Sequence, residues 1–151
     1  MFVQPARSRQ QGFSLLEIMV VVVIIGILVA TIAPTLFGET DTARKTKLKV
    51  DIRAIEGALE RYYNDNYTYP TTDQGLQALV TKTDIPPLPR NFKQRGYINR
   101  METDPWGNDY QYISPGTQGP YDIFTLGADG EIGGEGMNAD IGNWNLSELD
   151  N

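Results

Sequence analysis

The chain has 151 residues and a net charge of −6, which leaves room for one domain and gives no bulk attraction for nucleic acid. It has no cysteine, which excludes disulfides and zinc–thiolate sites, and no histidine, which removes the usual general base near neutral pH. All 13 Lys and Arg lie at or before Arg100, and the ten acidic residues beyond it have no basic neighbour in sequence, so that third of the chain is either a solvated acidic surface or a cation site.

Residues 13–37 are apolar apart from a single ionisable side chain, Glu17. As a helix this stretch spans about 37 Å, enough to cross a bilayer of about 30 Å with tilt. Arg7 and Arg9 precede it, so the positive-inside rule keeps the N-terminus in the cytoplasm. The run is too long for the apolar region of an ordinary cleaved signal peptide, and no small-x-small site follows it. A plain membrane anchor accounts for the composition but not for Glu17. An acidic side chain at mid-helix costs about 2.5–3.5 kcal/mol on translocon scales, less near an end, so Glu17 needs a partner. A cut between Gly12 and Phe13 would create one: an amine one helical turn away, or on a neighbouring copy. A pair of that kind also sets register between packed helices.

The segment Arg7-x-Arg9-Gln-Gln-Gly12-Phe13-Ser-Leu-Leu-Glu17-Ile-Met resembles the type III signal sequence of type IV pilins and pseudopilins. The resemblance implies a leader peptide over 1–12, cleavage after Gly12 by a prepilin peptidase, N-methylation of Phe13, and an assembly role for Glu17. It also implies that 13–37 is a transmembrane helix before assembly and filament core afterwards. Pro34 removes the bond to the Ala30 carbonyl and predicts a kink, which the resemblance extends to unwinding when subunits pack.

Over 38–66 the pattern turns amphipathic. Leu48, Ile52, Ile55, Leu59 and Tyr62 step by four and three along one helix face, with charges opposite. Asn64, Asp65, Asn66 and then Pro70 predict its end. Residues 67–151 predict a small globular part. Thr72 or Asp73 is the expected N-cap of a short helix, and Ile85-Pro-Pro-Leu-Pro89 a stiff extended linker. Asp104-Pro-Trp106-Gly107 reads as a turn with Trp106 anchoring the core. Tyr110–Ser114 and Tyr121–Thr125 read as strands joined through Pro115–Gly119. The fold class is α+β: a long helical spine, apolar in its first half, packed on a small antiparallel sheet in the manner of type IV pilins.

The runs Tyr-Pro-Thr-Thr-Asp-Gln-Gly-Leu-Gln-Ala-Leu-Val, Asp-Pro-Trp-Gly-Asn-Asp-Tyr-Gln-Tyr, Leu-Gly-Ala-Asp-Gly and Asp-Ile-Gly-Asn-Trp narrow this further. They resemble the major pseudopilins of type II secretion systems, and the likeness runs from Gln11 to about Leu146. The cysteine pair usual near the C-terminus of type IVa pilins is missing here, which separates the chain from them.

The stretch 126–140 mixes glycines with carboxylates. Calcium takes six to eight oxygens at flexible angles, carbonyls included, but the spacing is not that of an EF-hand. On the residues alone, a calcium loop and a flexible solvated loop both stand. The family resemblance implies one structural calcium, held by the carbonyls of Leu126 and Glu131 and the carboxylates of Asp129 and Asp140. A further oxygen would come from Asn138 or a neighbouring carbonyl. Ala139 stands where some relatives have a second Asp.

The resemblance implies a structural subunit of a periplasmic filament that helps export folded proteins across the outer membrane, with no enzymatic activity. Its implied partners are other copies of itself, minor pseudopilins, the prepilin peptidase, an inner-membrane platform with a cytoplasmic ATPase, and the membrane before assembly, but no nucleic acid. The implied location is the bacterial inner membrane, single-pass, with the C-terminal part in the periplasm. Two alternatives compete: a type IV pilus or DNA-uptake pilin, and a membrane-anchored periplasmic enzyme or binding protein. A DNA-uptake pilin would be expected to carry a basic patch, and an enzyme a nucleophile–base pair.

Overall fold

The computed structural model describes the backbone of residues 14–150 and the side chains of residues 14–29 and 41–149. Ser14 opens the long helix α1, Leu15–Asn66, where its hydroxyl accepts the Glu17 N–H at 3.4 Å. This is half of a Ser-x-x-Glu capping box. The chain divides into two compact units, the first ending at Asp41 and the second beginning at Thr42. Pro34 falls within α1, whose helical assignment runs unbroken from Leu15 to Asn66, and the unwinding is expected only where subunits pack.

In the second unit the predicted stripe is the core. Leu48, Ile52, Ile55, Leu59 and Tyr62 are all at most 2% exposed. They pack with Leu76, Leu79, Tyr97, Tyr110, Tyr112, Tyr121, Ile123 and Ile141. The helix stops where the polar run predicts. Asn66 is buried, its amide donating to the Tyr62 carbonyl (3.0 Å) and its side-chain oxygen accepting the Asn91 N–H (2.9 Å). Tyr67, at φ 62°, then takes the left-handed position that ends many helices.

Three short strands follow in the order β1 (Gln111–Ile113), β2 (Asp122–Thr125), β3 (Ile141–Gly142), all antiparallel. The two predicted strands are there, each slightly shorter than read. The third was not foreseen, because two residues carry no periodicity. Its register pairs Thr125 with Ile141.

Three local expectations change. The short helix is a 3-10 turn at Leu76–Leu79, and neither Thr72 nor Asp73 caps it. Instead Thr71 and Gln74 bond reciprocally, each accepting the other's backbone N–H on its side chain (3.3 and 3.0 Å). Thr72 bridges to Ser114. The proline segment bends rather than running straight, because the Gln74 amide gathers the carbonyls of both Ile85 (2.7 Å) and Pro87 (2.8 Å). Trp106 lies half-buried at the core margin, and the buried residue of that turn is Asp104, 2% exposed. A carboxylate there can satisfy backbone donors that an indole cannot.

Asp122, also 2% exposed, closes the β1–β2 loop. It accepts the Thr117 N–H (2.6 Å), the Thr117 hydroxyl (2.7 Å) and the Gln118 N–H (3.2 Å). Burial pushes its carboxyl up, but these bonds and one from Gly119 outweigh burial and hold it below the usual carboxylate value.

The core is rich in tyrosine, and most of its hydroxyls find acceptors. Tyr110 donates to Asp51 (2.9 Å), Tyr112 to the Pro70 carbonyl (2.8 Å) and Tyr97 to the Asn91 carbonyl (2.9 Å). Burial pushes Tyr69, Tyr97 and Tyr112 up to about 12, and Tyr110 and Tyr121 higher still. A phenol whose folded pKa is raised contributes stability that is complete below its unfolded value of about 10 and is lost as pH rises through the folded one. The second unit should therefore unfold cooperatively between about pH 10 and 12, with tyrosinate absorbance and near-ultraviolet circular dichroism changing together. Tyrosines that titrate near their free value while the dichroism persists would contradict this.

Candidate functional site

Two features are left unused by the core: the aliphatic surface of the first unit and the acidic loop of the second. Leu15 to Val29 expose every large aliphatic, from 46% at Val21 to 80% at Leu15. Exposed contiguous apolar surface of this kind marks a face covered by membrane or by protein. Glu17 sits exposed within it. Gly12 and Phe13 lie outside the described residues. Among the described residues no helix is long and apolar enough to cross a membrane. The apolar stretch 13–37 extends past the described side chains at both ends.

The acidic loop joins β2 to β3 over residues 126–140. Its one regular element is a 3-10 turn at Gly136–Asn138, and connections of this length are uncommon and usually either functional or disordered. Its two ends are pressed together. A Cβ on Gly127 would meet the Asn138 backbone at 2.6 Å, and one on Gly134 would meet the Asn138 carbonyl oxygen at 2.5 Å. Both glycines hold positive φ (66° and 89°), which side chains of L-residues resist. The Ala128 N–H donates to the Met137 carbonyl at 2.9 Å.

The four predicted ligand residues all fall on this loop. The β2–β3 register, continued by one step beyond Thr125 and Ile141, sets Leu126 opposite Asp140 at the mouth of the loop. Asp129 accepts the Glu131 N–H at 3.1 Å, a local turn that ties two of the four together. Asp140 reaches across the loop: its Oδ2 accepts the Gly133 N–H at 2.9 Å. Its Oδ1 is buried and has no hydrogen-bond partner. A buried carboxylate oxygen without a donor is costly unless a cation faces it. Among the described residues no three carboxylates draw together. A hard cation here would therefore rely on carbonyl oxygens beside Asp129 and Asp140, a mixture calcium accepts.

Asp104 and Thr125 beneath the loop were not foreseen as functional. Thr125 Oγ1 donates to Asp104 Oδ2 at 2.5 Å and accepts the Gly127 N–H at 3.2 Å. An Asp opening a Pro-containing turn was the available signal, since Asp commonly bonds the backbone two residues on.

Residues 35–144 match the family model described as Type II secretion system (T2SS), protein G, and residues 7–33 match the prokaryotic N-terminal methylation motif. The chain is 59% identical over 141 residues to the type II secretion system core protein G of Vibrio cholerae, which covers 93% of this chain and 96% of that one. It is 53% identical over 138 residues to the core protein G of Pseudomonas aeruginosa, covering 91% and 97%. Its fold is similar to the crystal structure of the major pseudopilin from the type 2 secretion system of enterohaemorrhagic Escherichia coli. That match has a TM-score of 0.65 and 49% identity, over 74% of this chain and 95% of that one. Both the length matched and the identity shared point one way: the chain belongs to the type II secretion system protein G family.

Proposed function

We propose that this chain is the major structural subunit of a type II secretion pseudopilus. The observation that carries the reading is the adjacency of two matches: a methylation motif over 7–33 and the protein G family over 35–144. The exposed aliphatic helix supports it, because that surface needs lipid before assembly and other copies afterwards. The chain enters the inner membrane with residues 1–12 inside and its C-terminal part in the periplasm. A prepilin peptidase cuts after Gly12 and methylates Phe13. Mature copies then stack through 13–37 into a filament that helps move folded proteins across the outer membrane. Minor pseudopilins, an inner-membrane platform and a cytoplasmic ATPase complete the machine, and the chain itself does no chemistry.

The acidic loop fits a calcium ion. Asp140 Oδ1 has no partner of its own, and the loop's carbonyls supply the donor class calcium prefers. Leu126 and Glu131 would hold it through carbonyls, Asp129 and Asp140 through carboxylates. The ion would supply charge compensation and cross-link the two ends of the loop.

Mass spectrometry of the chain from cells with and without the peptidase tests the processing step. The expected product begins at Phe13 and carries one added methyl group. Deleting the chain should retain folded exported proteins in the periplasm. An unprocessed chain that supports full export would sink the proposal.

A further inference from the structure

We infer that Asp104 and Thr125 are positioning residues that aim the Leu126 carbonyl into the acidic loop. This deepens the calcium reading above and rests on it.

Asp104 opens a tight turn. Its Oδ1 accepts the N–H groups of Trp106 (2.9 Å) and Asn108 (2.8 Å), while its backbone N–H donates to the Asn108 carbonyl (2.8 Å). The side chain is thereby locked, with Oδ2 facing Thr125. Both residues are buried, Asp104 at 2% and Thr125 at 0% exposure. A hydroxyl has one proton and two lone pairs. Thr125 gives its proton to Asp104, so its lone pairs are left to accept, and the Gly127 N–H is the donor at 3.2 Å.

That N–H belongs to the same peptide unit as the Leu126 carbonyl. The only cis bonds among the described residues precede Pro87 and Pro115, so this unit is trans. In a planar trans peptide the N–H and C=O point in opposite directions. Holding the Gly127 N–H down onto Thr125 therefore turns the Leu126 oxygen away from the core and toward the loop. The β2–β3 register places Asp140 opposite, with its free Oδ1. One side of the proposed site is thus set by a buried relay that begins some twenty residues earlier in sequence, in the Asp104 turn.

The test is a calcium titration by calorimetry on the full chain in mild detergent, comparing wild type, Thr125→Val, Thr125→Ser and Asp104→Asn. Val keeps the shape of Thr and removes the hydroxyl. Ser restores it. Asn presents an N–H where Asp104 accepts, so the hydroxyl must turn. The calcium Kd is expected to rise roughly 10- to 100-fold in Thr125→Val, the range for outer partners of metal ligands. It should also rise in Asp104→Asn and return close to wild type in Thr125→Ser. Far-ultraviolet dichroism in chelator shows whether each variant is folded. An unchanged Kd in a folded Thr125→Val or Asp104→Asn overturns the positioning role, even if melting falls equally with and without calcium. If wild type binds no calcium, or if Asp129→Ala binds as tightly as wild type, the calcium reading itself fails, and the positioning role with it.

Discussion

In a calcium chelator the full chain in mild detergent is expected to melt about 10–20 °C below its calcium-saturated value. An ion at roughly 100 times its Kd adds about 2.7 kcal/mol, and each kcal/mol shifts melting by about 4–8 °C for a folded unit near 100 residues, such as Thr42–Asn151. The physical reason is the loop. Five of its residues are glycines held at positive φ, and glycine loses more backbone freedom on ordering than any other residue. The domain has no disulfide to offset this. Asp140 Oδ1 is buried without a hydrogen-bond partner, a cost that a facing cation relieves. Asp129→Ala is the discriminating variant, because its one described bond is the local turn to Glu131. It should abolish the gap between calcium and chelator while leaving the melting point in chelator nearly unchanged. Magnesium should not substitute, since it demands near-octahedral geometry and gives up its waters reluctantly. A wild-type chain that melts alike in both buffers would make the loop an ordinary solvated one, and would leave the family assignment untouched.

What was legible in the sequence follows from how far each signal reaches. The helix stripe was readable because five buried positions repeat at helical spacing, and all five are core. The strands at Gln111–Ile113 and Asp122–Thr125 were readable from aromatic and β-branched residues around a glycine-rich turn. The strand Ile141–Gly142 was not, because its existence depends on pairing with β2 and not on its own two residues. Thr71 and Gln74 stand at the spacing of a capping box, so that pair is legible in the sequence beside the neighbouring Thr72 and Asp73. Trp106 drew the reading of its turn toward hydrophobic burial, whereas the buried group is Asp104, whose partner Thr125 lies far along the chain. The acidic loop was legible as a composition. The unpartnered Asp140 oxygen and the glycine contacts with Asn138 needed coordinates.

Glu17→Ala is expected to be cleaved and inserted normally and to form no filament. The residue stands exposed on a helix whose neighbours from Leu15 to Val29 are bare aliphatics. Whatever covers those aliphatics also removes water from Glu17. A lone carboxylate in such a place costs about 2.5–3.5 kcal/mol near mid-helix and less toward an end. Pairing with an amine at Phe13 of a neighbouring copy would recover that cost only in one alignment, so the charge would choose the register of the stack. Alanine removes both the cost and the choice: the helices still stick, without a preferred offset. Electron microscopy of assembled material, together with the processed mass of the subunit, separates the two steps. Glu17→Gln sharpens the test, because it keeps the shape and a hydrogen-bonding group but loses the charge. Filaments from the glutamine variant but not from alanine would replace the ion pair with a neutral hydrogen bond. Normal filaments from Glu17→Ala would mean that aliphatic packing alone sets the register, and Glu17 would then need another explanation for its place in an apolar helix.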